Sequence, residues 1–181
     1  MNKASKDQYK TRRIAILALL TACAVIMGYV EAVLPLDIGI PGVKPGLCNI
    51  VIIAALILFS WKEALLVSAV RILAIGFMFG NLFSISYSMA GTLCAIFIMT
   101  ILVNTGRFGL LGISASGGAM HGLGQMIVAK AVLPALPFAG YASVFILSGL
   151  VTGALVGFIS YELLRRVKTR SGAPGVMKYN T

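Results

Sequence analysis

The sequence is short of charge. Of its 181 residues 11% are Asp, Glu, Lys or Arg, with 5 acids against 15 bases. Soluble domains carry about 25% charged and roughly 45–50% apolar residues. At 59% apolar, this chain cannot dress itself in a water-facing surface, which excludes an ordinary soluble enzyme. The same richness excludes intrinsic disorder, whose signature is low hydrophobicity. Acid is scarcest. Asp7 and Asp37 stand apart, so no acidic motif is present to hold magnesium and a diphosphate. One histidine, His121, and the dispersed cysteines Cys23, Cys48 and Cys94 offer no metal-ligand spacing, and the cysteines read as small packing residues. No cofactor, metal or catalytic residue is expected. The phosphate-binding pattern GxxxxGK[ST] is missing too, so uphill movement of a solute would draw its energy from a partner or an ion gradient.

What the chain has is long apolar runs, near Ile14 to Leu34, Gly46 to Phe59, Ala64 to Phe79, Phe83 to Val103, Leu110 to Leu133 and Tyr141 to Leu164. Roughly 20 helical residues cross a hydrocarbon layer about 30 Å thick. The second run is short, and Trp61 follows it as a headgroup-level anchor. The alternation of a membrane β-barrel is missing. The expected class is an all-α polytopic membrane protein: a basic segment at residues 1–13, a six-helix transmembrane domain at 14–164 and a basic tail at 165–181. Leu20-Thr21-Ala22-Cys23 has the look of a lipoprotein cleavage box, but the apolar run continues past it, so an uncleaved first helix is expected.

The bases report orientation. Lys3, Lys6, Lys10, Arg12, Arg13, Lys62, Arg107, Arg165, Arg166, Lys168, Arg170 and Lys178 fall on one side of the six runs, and Lys44 alone falls in the loops of the other. By the positive-inside rule both termini are cytoplasmic and the chain sits in a cell membrane as a multi-pass protein. The bases lack interleaved aromatics, so the lipid bilayer, not nucleic acid, is the expected partner.

Ionisable and strongly polar groups inside spans are costly and so are candidates for function. Glu31, Asn49, Arg71, Asn81, Tyr87, His121 and Gln125 fall at mid-membrane or toward the outer side, with Ser84 and Ser88 beside Tyr87 and Lys130 near the outer mouth. Together with Lys44 they outline a substrate pocket open outward. Each has a plainer alternative: a Glu31–Arg71 ion pair joining two helices, a histidine bonded within the bundle, or a lysine snorkelling to the headgroups. The Pro/Gly-rich stretch Pro35 to Gly46 reads as an ordered lid or as a plain connector. Small residues four apart, Ala18 and Ala22 in the first run and Gly149, Gly153 and Gly157 in the last, mark faces where another helix approaches closely. For the last run, packing within the bundle is the preferred reading. For the first, a separate membrane subunit is an equal alternative.

Glu31-Ala32-Val33-Leu34-Pro35, Pro41-Gly42-Val43-Lys44-Pro45-Gly46-Leu47-Cys48-Asn49-Ile50, Trp61-Lys62-Glu63-Ala64-Leu65 leading to Arg71, and His121-Gly122-Leu123-Gly124-Gln125 resemble the small bacterial membrane family labelled Gx transporter or heptaprenyl diphosphate synthase component I. The resemblance spans about Ala15 to Leu164. Through it the chain also resembles the substrate-binding S components of energy-coupling factor (ECF) transporters. That likeness implies six helices, both termini inside and an outer-half pocket for a small anionic or polar solute. It also implies docking by Ala18 and Ala22 to a transmembrane coupling subunit served by ATPase subunits. The synthase label implies instead a membrane accessory subunit for a soluble prenyl diphosphate synthase.

Overall fold

The computed structural model describes residues 3–33, 46, 48–135 and 137–171, with side chains from residue 7 to residue 166. Lys44 and the stretch from Pro35 to Pro45 lie outside the described residues, as does the tail beyond Ser171. The described residues form six helices: α1 Lys3–Val33, α2 Cys48–Leu58, α3 Trp61–Phe79, α4 Leu82–Thr105, α5 Leu110–Val132 and α6 Phe138–Ser171. Each of the six apolar runs holds one of these helices. The helices extend beyond the runs at the basic ends, because Lys and Arg are good helix formers and nothing in those flanks breaks the pattern.

Local chemistry sets the turns. Ser60 caps α3 by accepting a hydrogen bond from the Lys62 backbone N–H, and its hydroxyl donates to Glu63. Asn81 caps α4, accepting from the Ser84 N–H at 2.8 Å, and Gly106 ends it at a φ of 63° that favours glycine. Short connections from α2 onward make successive helices antiparallel, and Arg13 beside Glu63 with Gly28 beside Arg71 sets α1 parallel to α3. One end, here the upper, holds Val33, Phe79, Leu82, Val132 and Phe138; the lower end holds Leu58, Trp61, Thr105 and Leu110.

The outer helices run in the order α1–α3–α4–α5–α6, and α2 packs inside them against α1, α3 and α6. α2 is apolar nearly all round, and Ile50, Val51, Ile52, Ile53, Ala55 and Leu56 are all buried, as expected of a helix enclosed by others. Around it gather Ala24, Ala64, Val67, Ile96, Met99, Ile113 and Val156, forming the lower core. At 11 residues, α2 is about 16 Å long. It fills the lower part of the ring and leaves the upper part open.

Three helical stretches are long and apolar enough to cross a membrane: Asp7–Val33, Leu82–Thr105 and Phe138–Arg166. α2 is too short. α3 carries Lys62, Glu63 and Arg71 in 19 residues, and α5 is diluted by glycine, serine, His121, Gln125 and Lys130. The long helices expose Leu19, Ile26, Phe97, Leu147, Leu155 and Phe158 on outward faces, an apolar belt suited to lipid rather than water.

The α5–α6 seam is the closest approach. A Cβ on Gly153 would lie 2.6 Å from the Ser114 carbonyl oxygen, and one on Gly122 would meet the Phe145 carbonyl oxygen. Gly118 and Gly149 meet backbone to backbone. The α6 glycine row therefore packs within the bundle, the reading preferred from sequence. Ser114 Oγ donates across the seam to the Gly153 carbonyl at 2.5 Å.

Candidate functional site

The open upper part of the ring is a cavity of about 550 Å³, within the range of small-molecule sites. All six helices line it. From α1 come Gly28 and Glu31, from α2 Cys48 and Asn49, from α3 Arg71, and from α4 Asn81, Ser84, Tyr87 and Ser88. α5 contributes His121 and Gln125, and α6 contributes Tyr141, Phe145, Ser148 and Thr152. Every polar residue singled out by its place in an apolar run, except Lys44 and Lys130, thus faces one space. Lys44 lies outside the described residues. Lys130 is not among the lining residues; its Nζ donates to the Pro134 carbonyl at 2.5 Å, a cation at the carbonyl end of α5.

Glycine sets the geometry of the cavity. Gly28 lets α3 come near, since a Cβ there would lie 3.3 Å from Arg71 Cγ and 3.1 Å from Ile75 Cγ1. At Gly91 a Cβ would lie 2.9 Å from His121 Nε2 and 2.8 Å from Gln125 Cγ, so His121 and Gln125 rest against bare α4 backbone. Arg71 Nε is buried and has no hydrogen-bond partner. Arg13 pairs with Glu63 and Arg166 with Glu162, and Glu31 and Arg71 both line the cavity. Glu31 is buried at 7% exposure and makes contacts of its own.

Below the cavity floor, a space of about 20 Å³ is lined by Asn49, Thr92, Ser114 and His121. That is room for about one water. Thr92 Oγ1 is buried beside it without a partner. Among the described residues no group of three His, Cys, Asp or Glu comes together.

The model of the family described as heptaprenyl diphosphate synthase component I matches residues 20–163, which is most of the chain. The chain belongs to the heptaprenyl diphosphate synthase component I family. All the described cavity-lining side chains of this family member fall within the matched residues. Searches of curated proteins and of solved structures give no match.

Sequence reasoning did not single out Gly28, Gly91, Phe83, Tyr141, Phe145, Ser148 or Thr152. Tyr141, Phe145, Ser148 and Thr152 follow helical spacing along one face of α6, a signal that was present. It looked like one more lipid-facing or packing stripe because only the neighbouring helices decide which face points inward.

Proposed function

We propose that this chain is a membrane subunit, non-catalytic by itself, that serves a larger assembly. It is inserted by six spans with both termini on the cytoplasmic face. The gathering of Arg12, Arg13, Lys62, Arg107, Arg165 and Arg166 at the lower end supports that orientation. The division into a basic segment at 1–13, a bundle at 14–164 and a basic tail at 165–181 is part of the proposal.

The family description supports most directly an accessory role in prenyl diphosphate synthesis. In that role the chain anchors a soluble catalytic component at the bilayer, supplying the membrane surface while the partner supplies the aspartates this sequence lacks. Co-expression of the full chain with a soluble, aspartate-rich prenyl diphosphate synthase should give a complex that survives purification, and activity that rises on mixing. A partner that neither binds nor responds removes this reading.

The cavity favours a second reading. One observation carries it: polar side chains from all six helices converge on a space of about 550 Å³. In this reading the chain captures a small anionic or polar solute, as an S component does, with Glu31, Asn49, Arg71, Asn81, Tyr87, His121 and Gln125 as contacts and Lys44 at the mouth. Transmembrane coupling and ATPase subunits drive delivery. Ala18 and Ala22 lie on the exposed face of α1, open to a docking helix. Ala18→Trp and Ala22→Trp should abolish uptake while leaving solute binding intact. If binding falls with uptake, that face serves the bundle and not a partner.

A further inference from the structure

Two helices outrun the bundle at its lower end. Arg13 pairs with Glu63 in the first turn of α3, where Trp61, with the Lys62 ammonium 5.6 Å from its ring, marks the headgroup level. Residues 3–12 carry α1 on past that level, a reach of about 15 Å. α6 does the same. Gly157 lies against Leu110 and Leu111 at the start of α5, and α6 continues from there to Ser171, about 21 Å further. Both extensions are basic: residues 3–13 hold five bases against one acid, and residues 161–171 hold four against one. α2 packs on both helices, so the extensions flank the turn at residues 59–61 beneath it.

The α1 extension is not built to lie on lipid. Apart from Ala4 and Tyr9 it has no apolar residue, so it lacks the face that an interfacial helix buries, and residues 7–15 are exposed. Helical spacing puts positions 3, 6, 10 and 13 on one face, bordered by Asp7. Arg13 reaches from that face to Glu63 and the Phe59 ring, so the face looks inward beneath the α2–α3 turn. Like charges three and four apart destabilise a bare helix. An acidic surface laid along the stripe removes that repulsion.

Distance separates this stripe from the orientation signal. Anionic headgroups hold a base within a Debye length, about 8 Å at physiological ionic strength. Arg12, Arg13 and Lys62 stand at the membrane surface and suffice to orient the chain. Position 6 stands about 10 Å below Arg13 and position 3 about 15 Å below it, where their charge is offered to the aqueous phase.

Resting on the accessory-subunit reading, we propose that the α1 face holding Lys6 and Lys10, with the basic end of α6 on the other side of α2, docks the acidic face of a soluble protein partner.

The test places the full chain in nanodiscs of zwitterionic phosphatidylcholine and measures binding of a soluble, aspartate-rich prenyl diphosphate synthase by interferometry. Lys6→Gln with Lys10→Gln lowers the charge of the stripe by two. Ser5→Glu with Gln8→Glu makes the same change on the far face, and both pairs keep Arg12 and Arg13 to direct insertion. The first pair should weaken binding at least tenfold and the second less than threefold. Raising salt from about 50 to about 500 mM should weaken wild-type binding at least tenfold, a comparison that needs no variant. Equal weakening by the two pairs, or binding indifferent to salt, overturns the inference and leaves the accessory reading standing. Wild-type binding that requires added phosphatidylglycerol assigns the partner's contact to lipid and overturns it as well. A synthase that binds in neither lipid removes both.

Discussion

Arg71 is the residue whose position costs most, and the cavity gives that cost a use. A guanidinium held near mid-helix with Nε unpartnered is destabilising unless something completes it. Gly91 is its quiet counterpart. Adding one methyl there places carbon 2.9 Å from both Nε2 and the main-chain oxygen of His121, closer than real contacts allow, so Gly91→Ala should push α5 away from α4 and displace His121 and Gln125. We expect at least a tenfold loss of solute affinity with the protein still folded, checked by calorimetry alongside thermal unfolding. Ser114→Ala removes the bond across the α5–α6 seam. Such bonds within membranes average about 0.6 kcal/mol, so a loss of about 0.5–1.5 kcal/mol is expected by reversible unfolding in mixed micelles. The polar half of the site was legible because Glu31, Asn49, Arg71, His121 and Gln125 each interrupt an apolar run, where a polar group needs a reason. Gly91 and Phe145 were not, because glycine and phenylalanine look alike in sequence whether they face a ligand, a helix or lipid.

Among the elements, α6 depends on its glycines. Gly149→Leu or Gly153→Leu drives a side chain into the α5 backbone, and overpacking of this kind costs about 1–3 kcal/mol or more. The expected result is a lower unfolding temperature with no selective effect on Ala18-dependent coupling. The lower-end junction of α1, α2 and α3 has an electrostatic latch. Arg13 pairs with Glu63 and lies over the Phe59 ring at 5.8 Å, and Ser60 donates to the same carboxylate. The Ser60 hydroxyl, aided by Arg13, holds the Glu63 carboxyl below its ordinary value of 4.5. A depressed carboxylate adds stability that is fully present above the ordinary value and fades as pH falls through the lower folded-state value. Wild type and Glu63→Gln should therefore differ in thermal stability at pH 7 and converge in acid. A constant gap would mean that the latch acts by shape and not by charge. The helices themselves were readable from apolar runs, whereas the Ser60 and Asn81 caps and the Gly106 stop were not singled out. The enclosure of α2 was foreshadowed only by its short, uniformly apolar sequence.

For the whole molecule, the sequence carried the class and the sidedness of charge but not the order of helices around the ring. That order depends on which faces interlock, as where Gly28 meets Arg71 or Gly122 meets Phe145, and such matching is written in pairs of distant residues. The proposed orientation has a direct check. Single cysteines at Gly109, between α4 and α5, and at Pro137, ahead of α6, in a cysteine-free background should be labelled by impermeant maleimide from opposite sides of intact cells: Pro137→Cys from outside, Gly109→Cys only after permeabilisation. Labelling of both from one side would remove the six-span topology.

The place of α2 between α1 and α6 has a consequence for how the protein is made. The second helix to leave the ribosome has as one of its walls the sixth, so lipid or a chaperone must attend its exposed flank until Phe138 and the residues after it are inserted. Ring closure is thus a late event in biogenesis. A polypeptide arrested before α6 lacks both the wall of α2 and the glycine seam of α5, and it is the intermediate that membrane quality control should meet most often.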